Sequence, residues 1–103
     1  MIRHLVFLQF ADGATEQTKQ NLYAELASLS DCIDGILDFQ NRKNVSVETP
    51  LVRDFRDMFW FDFRDQTVRN VYLESDVHQD IGGRIVESLA NGANSVFVCD
   101  IEV

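Results

Sequence analysis

The chain has 103 residues, enough for one domain, and its 46% hydrophobic content with eight phenylalanines describes a packed globule rather than a disordered segment. A formal net charge of −8 with no basic cluster gives no electrostatic attraction to nucleic acid or anionic membranes, so neither is an expected partner. No stretch approaches the ~20 apolar residues of a membrane span, and MIRHLVFLQF is too short an apolar run before Asp12-Gly13 for a signal peptide; with Cys32 and Cys99 far from CxxC spacing, the expectation is a cytoplasmic protein with two free thiols.

Ile2 to Phe10 reads as a strand. Both alternate sets, Ile2-His4-Val6-Leu8-Phe10 and Arg3-Leu5-Phe7-Gln9, hold large apolar residues, so both faces need cover. Asp12-Gly13 signals a turn and Thr15 a helix N-cap. Leu22, Leu26 and Leu29 form the stripe of a helix running to about Leu29, with Tyr23 at its edge. Gly35 permits a turn into a second strand, Ile36 to Val47, with Leu37 and Phe39 on one face.

A loop at about 48–53, holding the chain's only proline, leads to a third strand, Phe55 to Phe63. One face of it carries Phe55, Asp57, Phe59, Phe61 and Phe63; the other carries Met58 and Trp60. A short helix spans about Gln66 to Leu73, and a longer one Val77 to about Ala90, with Asp76 as its N-cap and Gln79 as capping-box partner. Gly82 and Gly83 inside it each cost about 1 kcal/mol relative to alanine, which asks for a close-packed neighbour or a kink. Asn91-Gly92 closes this helix, and Ser95 to Val103 is the last strand.

The order β-α-β-β-α(α)-β predicts an α+β, ferredoxin-like domain: a four-stranded antiparallel sheet with helices on one face. Leu5, Phe7, Met58 and Trp60 would then be bare on the opposite face. Packing of two such faces into a homodimer, a dimeric α+β barrel, is the simplest cover.

His78, Ile81, Ile85 and Leu89 share one face of the longer helix, with His78 in its first turn. A helix start and partial burial both favour the neutral imidazole. The only other histidine is His4. If His4 shares the helix-covered face with Val6 and Leu8, it meets His78 in one cavity with Tyr72 at the mouth. A neutral histidine can take a proton alpha to a carbonyl, and a tyrosine hydroxyl can donate to the developing enolate oxygen. Such a set suffices for enolisation or aldol closure without a metal or other cofactor. The competing account is a pair of core histidines that satisfy each other.

Asp57 among phenylalanines must be paired or solvated; it orients His4, pairs with an arginine, or ends the strand in water. There is no HxH or HxxxH spacing, no phosphate loop with lysine, and no GxSxG.

The segments IRHLVFLQF at 2–10, ATEQT at 14–18, DGILDFQNRKNVS at 34–46, YLESDVHQDI at 72–81 and VFVCDIEV at 96–103 together resemble the stress-responsive A/B-barrel (Dabb) family over nearly the whole chain. The resemblance implies a single small domain over residues 1–103 that forms a dimeric α+β barrel. It also implies an acid–base site, because one branch, the plant polyketide cyclases of the olivetolic acid type, has acid/base residues matching His4, Tyr72 and His78, with a strand-three histidine at the position of Asp57. The family's His-Pro-Ala-His is here Ser75-Asp76-Val77-His78, so only the second histidine is kept. The expected ligand is a small, largely apolar, oxygenated molecule. Two alternatives stand beside it: a non-catalytic stress-related binding module, and a haem-degrading or cofactor-free monooxygenase, whose Trp and His are echoed by Trp60 and His78 but whose strand-one asparagine is missing.

Overall fold

A computed structural model describes residues 1–103. Its strands are β1 (Ile2–Leu8), β2 (Ile36–Lys43), β3 (Asp57–Phe63) and β4 (Val96–Glu102); its helices are α1 (Glu16–Ala27), α2 (Thr49–Val52), α3 (Gln66–Glu74) and α4 (Asp76–Glu87). The sheet is antiparallel throughout, in the order β2-β3-β1-β4, which is the expected ferredoxin-like arrangement. β1 alternates buried and half-buried from Ile2 to Leu8, with Ile2, His4, Val6 and Leu8 on the buried, helix-covered face.

Local chemistry sets the helix ends. Thr15 accepts from the Thr18 amide at 3.1 Å and Asp65 from the Val68 amide at 3.0 Å, each relieving an orphan donor of the helix start. The cap of α4 is Ser75 rather than Asp76: the Ser75 hydroxyl accepts from the His78 amide, and Asp76 is the first helical residue. Gln79 makes no capping box. Its side chain reaches back to the Leu73 carbonyl at 3.2 Å, because a serine that also closes α3 needs no second partner. A bidentate pair from Arg84 to Glu25, at 2.6 and 2.8 Å, ties α4 to α1.

The core is aromatic. Phe61 is wholly buried, lies 4.8 Å centroid-to-centroid from both Phe39 and Tyr72, and stacks on Phe63 at 5.5 Å. Tyr23, expected at the edge of the first stripe, is buried against Phe59 and Phe39.

β1 ends at Leu8 rather than Phe10 and α4 at Glu87 rather than about Ala90, and three larger differences have local causes. β2 ends at Lys43 because Asn44 turns away to hold the Phe55 carbonyl and the Ser46 amide. The predicted loop contains the single turn α2, followed by Arg53 and Asp54 at φ of 55° and 64°, so β3 starts two residues late. Leu37 does not share a face with Phe39. The register shifts between Ile36 and Asp38, which turns Ile36 inward and leaves Leu37 57% exposed.

The outer sheet face carries Leu5, Phe7, Met58 and Trp60, all half-buried in the protomer, beside Phe97, Cys99 and Ile101 of β4. Cys32 is exposed and Cys99 half-buried, and neither is bonded to the other.

Gly35 is required by its backbone. Its φ is +94°, and a Cβ there would lie 2.5 Å from Val68 Cγ2. Gly35→Ala is expected to cost about 2–4 kcal/mol, from the left-handed conformation plus the overpacking, read as a lower denaturant midpoint at unchanged slope.

Candidate functional site

Between the sheet and α3/α4 lies a cavity of about 300 Å³. Its walls are mostly aliphatic, including Val6, Leu8, Ile85 and Val98, and its polar groups are His4, Tyr72, His78 and Asp100. The sequence therefore named three of the four polar side chains. The rings confirm the grouping: Tyr72 lies 3.9 Å from His78 and 5.6 Å from His4, centroid to centroid.

Each position follows from the chain. His4 is inward by strand alternation. Tyr72 ends α3 on the buried side with Val68, and the Ser75 link turns the chain so that His78 returns one turn into α4 beside it. Tyr72 is not at the mouth, as the sequence suggested, but only 1% exposed, because Phe61 and Phe63 pack on its ring. Burial raises its hydroxyl pKa well above the ordinary tyrosine value, so it stays a proton donor.

His78 is pushed below its ordinary value, first by burial and then by the nearby His4; the carbonyls of Leu73 and Tyr72 oppose the shift. Its Nδ1 is buried with no hydrogen-bond partner in the protein. Gly82, one turn on, also lines the cavity, yet a Cβ there would come only to 4.0 Å from His78 Nε2, and one at Gly83 would touch nothing. The close-packed neighbour expected for this glycine pair is therefore not found; Gly82 widens the cavity wall beside His78.

His4 is held by a residue the sequence reading missed. Asp100 is its direct cross-strand partner on β4, and Asp100 Oδ1 lies 2.6 Å from His4 Nδ1. The signal was present. Asp100 is the first of two acidic residues on the alternation Val96-Val98-Asp100-Glu102, and β4 must pair antiparallel with β1 in this topology.

Asp57 is elsewhere. It shares the inward face, but it pairs with Leu8 and Lys43 at the far end of β1, not with His4. Lys43 Nζ lies 2.6 Å from its Oδ1 and Lys19 Nζ 3.2 Å from its Oδ2, so two lysines, and no arginine, neutralise a carboxylate whose side chain is 6% exposed. Asp57 is thus outside the cavity that His4, Tyr72 and His78 share. Trp60 faces the outer side with Leu5, so it does not meet His78 within a protomer. No group of three His, Cys, Asp or Glu side chains is gathered as a metal site, and no helix is long and apolar enough to cross a membrane.

The model of the stress-responsive A/B-barrel domain family matches residues 2–103. The chain belongs to that family. Among solved structures, a dimeric ferredoxin-like protein of unknown function from Jannaschia sp. CCS1 is 27% identical, with a TM-score of 0.87 over 99% of this chain and 98% of that one. A protein from Arabidopsis thaliana is 22% identical at TM-score 0.87, covering 100% and 95%. A hydroxynitrile lyase from Passiflora edulis is 10% identical at TM-score 0.81, covering 99% and 92%. The last two share the fold. No curated protein matches the sequence.

The His78 environment has a pH signature. The unfolded imidazole titrates near 6.5 and the folded one lower, so below about pH 6.5 the unfolded chain binds a proton that the folded chain resists. Stability is expected to fall as pH drops from about 7.5 to 5, and His78→Gln should flatten that slope, measured as the unfolding midpoint of both proteins across this range.

Proposed function

We propose that this A/B-barrel protein is a homodimer whose sheet–helix cavity performs metal-free acid–base chemistry on a small, largely apolar, oxygenated ligand. The observation that carries the reading is the convergence of His4, Tyr72 and His78 on one cavity with His4 Nδ1 occupied by Asp100. That contact leaves Nε2 as the nitrogen available to a ligand.

In this reading His4 Nε2 removes a proton alpha to a carbonyl, and Asp100 stabilises the imidazolium that forms. The Tyr72 hydroxyl, held protonated by burial, donates to the enolate oxygen. Neutral His78, on the same cavity wall, donates a hydrogen bond from its ring N–H to a second oxygen of the ligand, and the His4 imidazolium returns the proton it took at the end of the step. Aliphatic walls hold the rest of the ligand and exclude water. The enolate can then close on a second carbonyl, as in an aldol condensation, or be reprotonated elsewhere, as in an isomerisation. Catalysis is known on this scaffold, since one fold neighbour is a hydroxynitrile lyase. Asp57 has no part in this chemistry; its two lysines make it a brace between α1 and the sheet.

The homodimer reading rests on the outer face, where Phe97 is 57% exposed beside Leu5, Phe7 and Trp60, and on the dimeric ferredoxin-like relative. Light scattering at micromolar concentration should give twice 11.8 kDa, and a clean monomer would defeat the idea. Trp60→Glu should dissociate or unfold the dimer by placing an unpaired charge in the interface.

For the site, His4→Gln should lower turnover of a β-keto substrate by about 10²–10⁴-fold with the unfolding midpoint nearly kept. His78→Gln should lower it as well. Changed ligand affinity with no turnover in the wild type would instead establish a binding module. A Soret shift on haem titration would favour the monooxygenase reading.

A further inference from the structure

Asp100 is itself gripped from the other side. Its Oδ2 accepts from Arg69 Nη1 at 3.0 Å while its Oδ1 faces His4 Nδ1 at 2.6 Å. Arg69 lies on α3, three residues before Tyr72, so one helix carries both a wall of the cavity and this clamp. The guanidinium is held from behind, with Asn70 Oδ1 accepting from Nε at 3.3 Å and from Nη2 at 3.2 Å. We propose that Arg69 is a positioning residue that acts through Asp100 to fix His4 with its proton on Nδ1 and its Nε2 lone pair toward the cavity.

The argument is one of donors and acceptors. A guanidinium has five N–H donors and no acceptor, so Asp100 can meet it only by accepting. A carboxylate engaged in that way brings no proton of its own to the contact with His4. His4 Nδ1 must therefore supply the hydrogen, and the neutral ring carries its lone pair on Nε2. Asp100 would not stay in place unaided. It lies on β4, an edge strand, with its side chain 27% exposed, and water can compete for either oxygen. The Arg69 Nη1 contact limits that freedom by holding Oδ2, which aims Oδ1 at the imidazole. The other polar groups facing His4 are His78 and Tyr72, and neither contacts Nδ1.

This inference rests on His4 being the cavity's base, but its test needs no ligand and no turnover. Long-range ¹H–¹⁵N correlation spectra of labelled protein, followed to alkaline pH until the nitrogen shifts stop changing, read the tautomer directly. Wild-type His4 should show a protonated Nδ1 and a lone-pair Nε2 as a single species. In Arg69→Met the two nitrogen shifts should move toward each other as the tautomers mix, with the His78 signals unchanged. Arg69→Lys should restore most of the wild-type pattern, because an ammonium can still donate to Oδ2. An Arg69→Met protein that unfolds earlier but keeps the wild-type His4 nitrogens would overturn the proposal, showing a residue that only stabilises. A wild-type His4 protonated on Nε2 would overturn it together with the base assignment. A correct tautomer in a protein without turnover would sink the catalytic reading and leave this one standing.

Discussion

The site depends on the register in which β1 pairs with β4. His4 stands opposite Asp100, and every inward residue of β1 meets an inward residue of β4. A slip of one residue would turn Cys99 toward the histidine and send Asp100 to the outer face. The register is secured from the other side of β1, where His4 pairs with Phe61 and the Phe61–Phe63–Tyr72 cluster fills the space under α3. The same packing that sets the strand order therefore places the carboxylate, the imidazole and the phenol within reach of one another. The polar site is built onto the rim of an aromatic core.

The α3–α4 junction adds the second histidine. Ser75 ends one helix through its amide, which donates to the Tyr72 carbonyl, and begins the next through its hydroxyl. Only the single residue Ser75 separates α3 from α4, so the distance between Tyr72 and His78 has little freedom. That explains ring centroids only 3.9 Å apart. The short connection also holds the His78 ring beside the Leu73 and Tyr72 carbonyls, with its buried Nδ1 in no well-formed hydrogen bond. A structural histidine would more commonly be satisfied. What goes beyond packing is that His4, Tyr72 and His78 all line one cavity.

Much of this was legible in the sequence because it depends on periodicity. Strand alternation placed His4, the helical stripe placed His78, and their sharing of a cavity followed from the element order. What escaped was local or relational. Leu37 was misplaced because a bulge changes the phase of alternation, and residue type does not show where a register shifts. The Ser75 cap was missed because Asp76 is an equally good capping residue by type, whereas Ser75 also closes α3 through its backbone amide. Asp57 was named as a site candidate and Asp100 was not, yet it is Asp100 that lines the cavity. Both are inward carboxylates on strands, but Asp57 sits among phenylalanines and looked chemically exposed to comment, whereas its partners Lys19 and Lys43 come from an element 38 residues away and one 14 residues away. Asp100 drew no notice at the chain's end, where its partners are 96 and 31 residues distant.

The two faces of the sheet treat buried charge by the same rule, and this bears on how the outer one can meet a second copy. On that face Asp62 has a side chain only 7% exposed, yet it is already engaged by a two-point contact from Arg3, at 2.8 and 3.1 Å. The guanidiniums of Arg3 and Arg42 lie 5.7 and 5.6 Å from the Trp60 ring, so the indole is flanked by cations in the protomer. Burying an ion pair that is formed before association adds much less desolvation than burying two separate charges, because most of the water has already been replaced. In the proposed dimer the apolar half of the face, Leu5, Phe7, Phe97 and Ile101, would then supply the drive for association.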